Sequence, residues 1–382
     1  MKISIYIMAV TCFIVGTVEL VIGGILNLIA ADLGVSISEA GKLITVYSLA
    51  FALSGPVMLT MTFRYERKKL YLYSLFVFLI GNLLSAFSPN YSVLMLSRIL
   101  LALSSSLLIT LSITIVTKLA APSIYGRAIG VISMGISGSL VLGVPLGIII
   151  SQTFGWRYIF LIISLLTIIS IISIFLLLPK ISSDSVLPLK KQLATLKNSK
   201  ILSAHLIIIL ILAGHLTLYA YLAPFLQASL HLSSDWISLY FFIFGISAIL
   251  GGGIGGWVTD KWGSSKTIFM IITLFIIALA LLPITISSLP VFIMNLVIWS
   301  LLSWAITPAQ QIYLIESAPE GSDIQIGFNN SACHIGIAIG SYIGGVVIKQ
   351  SSVLFNPWIG ALISLLSLGC AIYSHTRPNI QK

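Results

Sequence analysis

The chain has 382 residues, of which 58% are hydrophobic and only 8% charged; no soluble globular domain has so little polar surface to offer water. Its formal net charge is +10, yet no basic stripe with interleaved aromatics argues for nucleic acid. Cys12, Cys333 and Cys370 are odd in number and lack metal-ligand spacing, so they read as small buried residues.

An integral membrane protein remains. Apolar runs of about 20 residues, each able to cross a roughly 30 Å hydrocarbon core as a helix with its backbone bonds satisfied internally, recur along the chain. Twelve are expected: 5–30, 41–62, 70–88, 92–117, 128–151, 157–178, 203–228, 235–258, 267–287, 290–313, 326–348 and 354–375. The first is too long for a cleaved signal peptide and lacks a small-residue cleavage site. It carries "GTVELVIGGIL", where Gly16 and Gly23 share a helix face with Glu19, so the carboxyl looks onto other helices rather than lipid. An ionisable group at the bilayer centre costs roughly 2.5 to 3.5 kcal/mol and is usually functional. Only Glu19 and Arg98 stand clearly inside spans. Burial disfavours the charged form of a carboxyl, which suits Glu19 to load and unload a proton; the alternative is a permanently protonated acid bonding a neighbouring helix.

Arg98, in "LMLSRILLAL" of span 4, cannot lose its proton. It is expected to modulate a carboxylate or to hold an outer gate through backbone carbonyls, unless it snorkels to the nearby interface. Span 5 carries Gly138, Gly143, Pro145 and Gly147, which permit close helix approach and a kink. The polar stretch 179–200 then separates an N-terminal bundle (1–178) from a C-terminal bundle (201–382), and its "PLKKQLATLKN" portion reads as an amphipathic helix or a solvated basic loop. Sixteen of the twenty Lys and Arg fall on the side of the termini and this linker, which predicts cytoplasmic termini.

The second half supplies flat surfaces and groups that donate and accept hydrogen bonds, as a purine needs. His215 and Tyr219 lie one turn apart in span 7, followed by Tyr221; span 10 offers Trp299, Trp304 and Gln310; span 11 offers Asn329, Asn330 and His334. Any one of them alone is more often a helix-packing or interface residue than a ligand, and their convergence makes them substrate candidates. His215 and His334 are secondary proton candidates. Gly336, Gly340 and Gly344, every fourth residue, read as a packing face.

After span 8, "GWVTDKWGSSK" resembles the G-x-x-x-D-[RK]-x-G-[RK] loop of the major facilitator superfamily, through Gly256, Asp260, Lys261 and Gly263. The equivalent "TFRYERKK" of the first half keeps Arg64 and Arg67, with Phe63 at the usual Asp position and Glu66 at the usual Gly position. "GISGSLVLGVPLGIII" and "FGWRYIF" are similar to the antiporter motif and the following outer loop of its twelve-span drug/proton antiporter branch. "VELVIGGIL", "AGHLTLYAYLAPFL" and "LLSWAITPAQQIYLIE" are similar to the purine base and nucleoside efflux pumps within that branch. The resemblance covers essentially the whole chain. It implies an all-α integral membrane fold of twelve transmembrane helices in two six-helix pseudo-symmetric bundles, rocking about a midplane site. It also implies a monomer of the cell membrane that exports purine bases, nucleosides or related small planar metabolites against protons, with the proton gradient as energy source and no cofactor. In that family the acid and cations of the loop motifs latch helices in one gate state. Broad multidrug or sugar efflux is the alternative within transport, and a receptor or scaffold the alternative outside it. A single intramembrane acid favours neutral solutes over cationic drugs. No H-E-x-x-H, G-x-S-x-G or nucleotide-binding loop points to an enzyme.

Overall fold

Backbone that cannot bond to water inside a bilayer must bond to itself, and the computed structural model is accordingly helical, with no strand among the described residues: 3–62, 64–119, 125–182, 193–318 and 322–377. The first six rods are α1 (Ile3–Leu33), α2 (Ile37–Met61), α3 (Arg67–Ala86), α4 (Tyr91–Leu119), α5 and α6 (Arg157–Leu177). Rod α5 is built from Tyr125–Gly138, a π-helical turn Ser139–Gly143 and Val144–Phe154. The second six are α7 (Ser199–Tyr219, resuming as Leu222–Leu230), α8 (Ser234–Trp262), α9 (Ser264–Thr285), α10 (Leu289–Ser317), α11 (Ser322–Gln350) and α12 (Asn356–Thr376). Eleven of the rods are long and apolar enough to cross a membrane on the described residues alone.

Local chemistry sets several boundaries. Ser36 and Glu39 form a reciprocal cap on α2, each accepting at 3.1 Å from the other's backbone N–H. Asn198 caps α7 by accepting from the N–H groups of Lys200 and Ile201. Gly263 turns the chain from α8 into α9 at φ +82°, a region side chains rarely adopt. In α5 a π turn, Ser139–Gly143, precedes Pro145, which stands in the first turn of the segment that follows.

Packing repeats itself six helices apart. In the first half α1 packs on α5 and α6, α2 and α3 on α4, and α3 on α6; in the second, α7 packs on α11 and α12, α8 and α9 on α10, and α9 on α12. The two bundles meet through the equivalent pairs α2 with α11 and α5 with α8. Ser4 Oγ donates to the Leu177 carbonyl, and Lys200 Nζ to the Arg377 carbonyl, so the chain ends and the linker share one end of the bundle. Of the linker, 183–192 lies outside the described residues; the described part holds one short 3-10 helix, Thr195–Lys197.

Helices in lipid associate by packing and not by hydrophobic exclusion, and the α11 glycine ladder serves that end. Gly336, Gly340 and Gly344 lie on the α7 backbone at Ile209, Ala213 and Thr217. A methyl added at Gly340 would collide with the Ala213 carbonyl, which cannot move without breaking α7. Gly340→Ala is therefore expected to destabilise the bundle by about 1–3 kcal/mol, seen as a lower unfolding temperature in detergent. Gly253→Ala, at a position with open space around it, is expected not to.

Candidate functional site

At mid-height between the bundles lies a cavity of about 340 Å³, walled by α1, α2, α4 and α5 on one side and by α7, α8, α10 and α11 on the other. Glu19 enters it from α1, flanked by Gly16 and Gly23. These glycines let α1 press against its neighbours: Gly16 faces Ser139 at the π turn, and Gly23 faces the α7 backbone where that helix is interrupted. His334 enters from α11, its imidazole stacked on Phe51 of α2 with ring centroids 3.7 Å apart. Glu19 Oε1 and His334 Nδ1 are 3.8 Å apart, within ion-pair distance but too long for a hydrogen bond. Their side chains are 17% and 8% exposed, so both face the cavity while largely removed from lipid. With a proton on His334 and none on Glu19 the two groups attract each other across the bundles; with the proton on the carboxyl instead, that attraction is lost.

Arg98 is fully buried beside the cavity and not in it. Its Nη1 donates to the Val18 carbonyl at 2.9 Å and its Nε to the Leu43 carbonyl at 3.5 Å, while the guanidinium lies 4.2 Å over the Tyr47 ring. It thus ties α4 to α1 next to Glu19, and to α2. It does not reach the interface.

The substrate candidates divide. His215, Tyr219, Trp304, Asn330 and His334 line the cavity. Trp299 stands behind that wall, against His215 and Phe244 at centroid distances of 5.0 and 5.1 Å. The structure does not bring the others to it. Tyr221 sits toward the end away from the termini, donating to the Ser341 carbonyl at 2.7 Å beside Gly344, where it fills the α7–α11 joint. Gln310 donates to the Ala204 carbonyl at 2.6 Å inside the second bundle, and Asn329 is buried with its Nδ2 4.0 Å from Cys333 Sγ. Sequence reasoning had no signal for Phe51, Phe244, Ser48, Ser303 or Thr307, which also line the cavity; apolar or hydroxyl residues in a membrane helix look alike on every face.

The gating candidates lie elsewhere. Gly143 and Gly147 press on Thr17 and Val21 of α1, Gly138 on Phe13, and the Pro145 carbonyl accepts from Ser238 Oγ of α8 at 3.2 Å. Glu66 pairs with Lys69 at 3.9 Å, Arg67 is buried with its N–H on the Ile181 carbonyl, and Arg64 is exposed. Gly256 has open space beside it, Gly263 forms the α8–α9 turn, and Lys261 lies over the Trp257 ring. Asp260 is exposed and makes no ion pair with a described residue in this state.

Among the described residues three hydrogen bonds cross between the bundles: Asn27 to Gln227 at 2.5 Å, Thr45 with Ser341 at 2.8 Å, and Ser238 to Pro145. All lie toward the end opposite the termini. Among the described residues none crosses at the termini end.

A family model described as the Major Facilitator Superfamily matches residues 8–341, with a further match over 206–381. An "Uncharacterized MFS-type transporter YbcL" of Bacillus subtilis is 36% identical over 365 residues, 96% of this chain and 94% of that protein. A "Probable sugar efflux transporter" of Mannheimia succiniciproducens is 28% identical over 366 residues, 95% and 91% of the two chains. Among solved structures, a bacterial homolog of the human lysosomal transporter Spinster, in an inward-facing and occupied conformation, superposes with a TM-score of 0.80 at 15% identity. That likeness covers 97% of this chain and 96% of the other, and is one of fold.

Proposed function

The chain belongs to the Major Facilitator Superfamily and is a multi-pass membrane transporter rather than an enzyme, and from that premise we propose that it exports a small neutral planar solute, such as a purine base or nucleoside, in exchange for protons. The observation that carries this reading is the Glu19–His334 pair, one partner from each bundle, facing a cavity with an aromatic wall. In a water-poor interior an ion pair attracts far more strongly than in water. Loading a proton on Glu19 removes that attraction, so the pair biases the inter-bundle equilibrium as two states with different protonation. His334 on Phe51, and His215 beside Tyr219 at 5.2 Å, offer flat faces for a planar ring, and Asn330 offers an amide to its edge. With the termini in the cytoplasm, as the charge asymmetry supports, the end where hydrogen bonds cross between the bundles is the outer one. The transporter then works in the cell membrane as a monomer, driven by the proton gradient without a cofactor.

A sugar is the second reading. Ser48, Ser303, Thr307 and Asn330 line the same cavity with hydroxyl and amide groups, and one relative carries the name of a sugar efflux transporter. Proteoliposomes loaded at acidic pH and diluted into alkaline buffer separate the two. Labelled hypoxanthine or guanosine is expected to accumulate above equilibrium and to leak away when a protonophore is added. Accumulation of labelled arabinose instead selects the sugar reading, and entry that equilibrates without ever concentrating overturns proton coupling.

The wall itself is testable. The Tyr219 hydroxyl is buried without a hydrogen-bond partner among the described residues, and is thus available to a solute. Tyr219→Phe is expected to raise the KM for hypoxanthine roughly tenfold, the worth of one buried hydrogen bond, with the dependence on the pH gradient unchanged.

A further inference from the structure

On the termini side of the cavity, the second bundle encloses a polar cluster that neither the Glu19–His334 pair nor the aromatic wall explains. His205 of α7, Gln310 of α10, and Gln325 and Asn329 of α11 are all at least nine-tenths buried. His205 Nε2 meets Gln325 Oε1 at 3.0 Å, and Gln325 Nε2 donates to Thr195 Oγ1 of the linker at 2.8 Å. Nε2 therefore carries the imidazole hydrogen, and Nδ1 is left as an acceptor. That Nδ1, Gln310 Oε1 and Asn329 Oδ1 have no partner among the described residues. Three buried acceptors in want of donors are what water, bringing two hydrogens each, satisfies.

The cluster has direction. Gln325, Asn329 and Cys333 stand one turn apart on a single face of α11, spanning about 12 Å. At one end Cys333 lines the cavity together with Glu19, and Asn329 reaches its sulfur. At the other, Gln325 holds Thr195, which is only half-buried at the termini end.

We propose that this cluster holds a file of water that carries protons between the Glu19–His334 pair and the termini side, apart from the solute's own route through the cavity. The inference rests on the proton-coupled reading above. A proton leaving the Glu19 carboxyl passes to the nearest water, and each water hands on one of its own hydrogens. His205 accepts a proton at Nδ1 from one water and releases it from Nδ1 to the next, its Nε2–H staying on Gln325 Oε1, while the amides orient the file without titrating. The net change is one carboxylic acid converted to carboxylate and one proton delivered to the termini side; nothing is oxidised or reduced. A solute occupying the cavity then leaves the proton's exit open.

The test uses the full chain in proteoliposomes, with labelled hypoxanthine and labelled arabinose as probe solutes. His205→Phe and Gln325→Leu are expected to slow gradient-driven accumulation roughly tenfold or more, within what a positioned proton-transfer group contributes, while solute exchange at equal pH keeps the parent rate. His205→Gln, whose amide still holds water, recovers part of the loss. Accumulation at the parent rate in both blocking variants overturns the file. So does a parallel fall of accumulation and exchange, which marks the cluster as packing. A parent chain that exchanges solute but never concentrates it overturns the coupling reading and the file with it, and the parent vesicles alone reveal that.

Discussion

Glu19→Gln is expected to abolish concentrative transport, by roughly 100-fold or more in gradient-driven rate, while exchange of solute across the membrane at equal pH survives. Glutamine keeps the shape and the cavity-facing position of the side chain between Gly16 and Gly23, so helix packing is undisturbed. It cannot ionise, and the attraction to His334 across the bundle interface is permanently in its proton-loaded form. A transporter held in that form still reorients with solute but has no reason to move a proton with it. Counterflow and pH-driven uptake in the same vesicles distinguish the two activities. Undiminished uphill transport by the Gln variant would falsify the assignment of Glu19 as proton carrier.

The second large effect is at Arg98. Its guanidinium, with no exposed surface, bonds the Val18 and Leu43 carbonyls and covers the Tyr47 ring. Arg98→Met leaves those groups without the cation and removes the positive charge beside Glu19. Breaking a buried charged arrangement by deleting one member costs about 3–5 kcal/mol, so the variant is expected to unfold at a markedly lower temperature. A thiol-reactive dye reporting on buried Cys12 measures this. Arg98→Lys is expected to fall between the two, because an ammonium cannot reproduce the fork that bonds two carbonyls on different helices. An Arg98→Met protein as stable as the parent would show that the guanidinium does not clamp α4 to α1 and α2.

Several residues mark how far the sequence could be read. Glu19 was legible because a lone acid in an apolar run is costly and therefore conspicuous, and the glycines beside it pointed its face inward. The ladder at Gly336, Gly340 and Gly344 was legible because its four-residue spacing has few other uses. Tyr221 and Gln310 looked like cavity residues by the same reasoning as His215 and Trp304, yet they bond backbone carbonyls inside the second bundle. Helical periodicity gives the face of a residue. It does not give the helix that the face meets.

The amino-acid sequence by itself determined that this is a membrane protein of twelve helical spans, because a hydrocarbon core demands about twenty apolar residues for each crossing and internal bonding for every peptide group. It also singled out Glu19 as the one acid and Arg98 as the one permanent cation set in the middle of apolar runs. Only the tertiary structure decided that Glu19 meets His334, that Phe51 stacks on that imidazole, and that α5 and α7 are interrupted beside α1. The physical reason is that spans apolar on all sides carry little record of which side is inward, so partnership across two bundles arises from the close packing of small residues far apart in the chain.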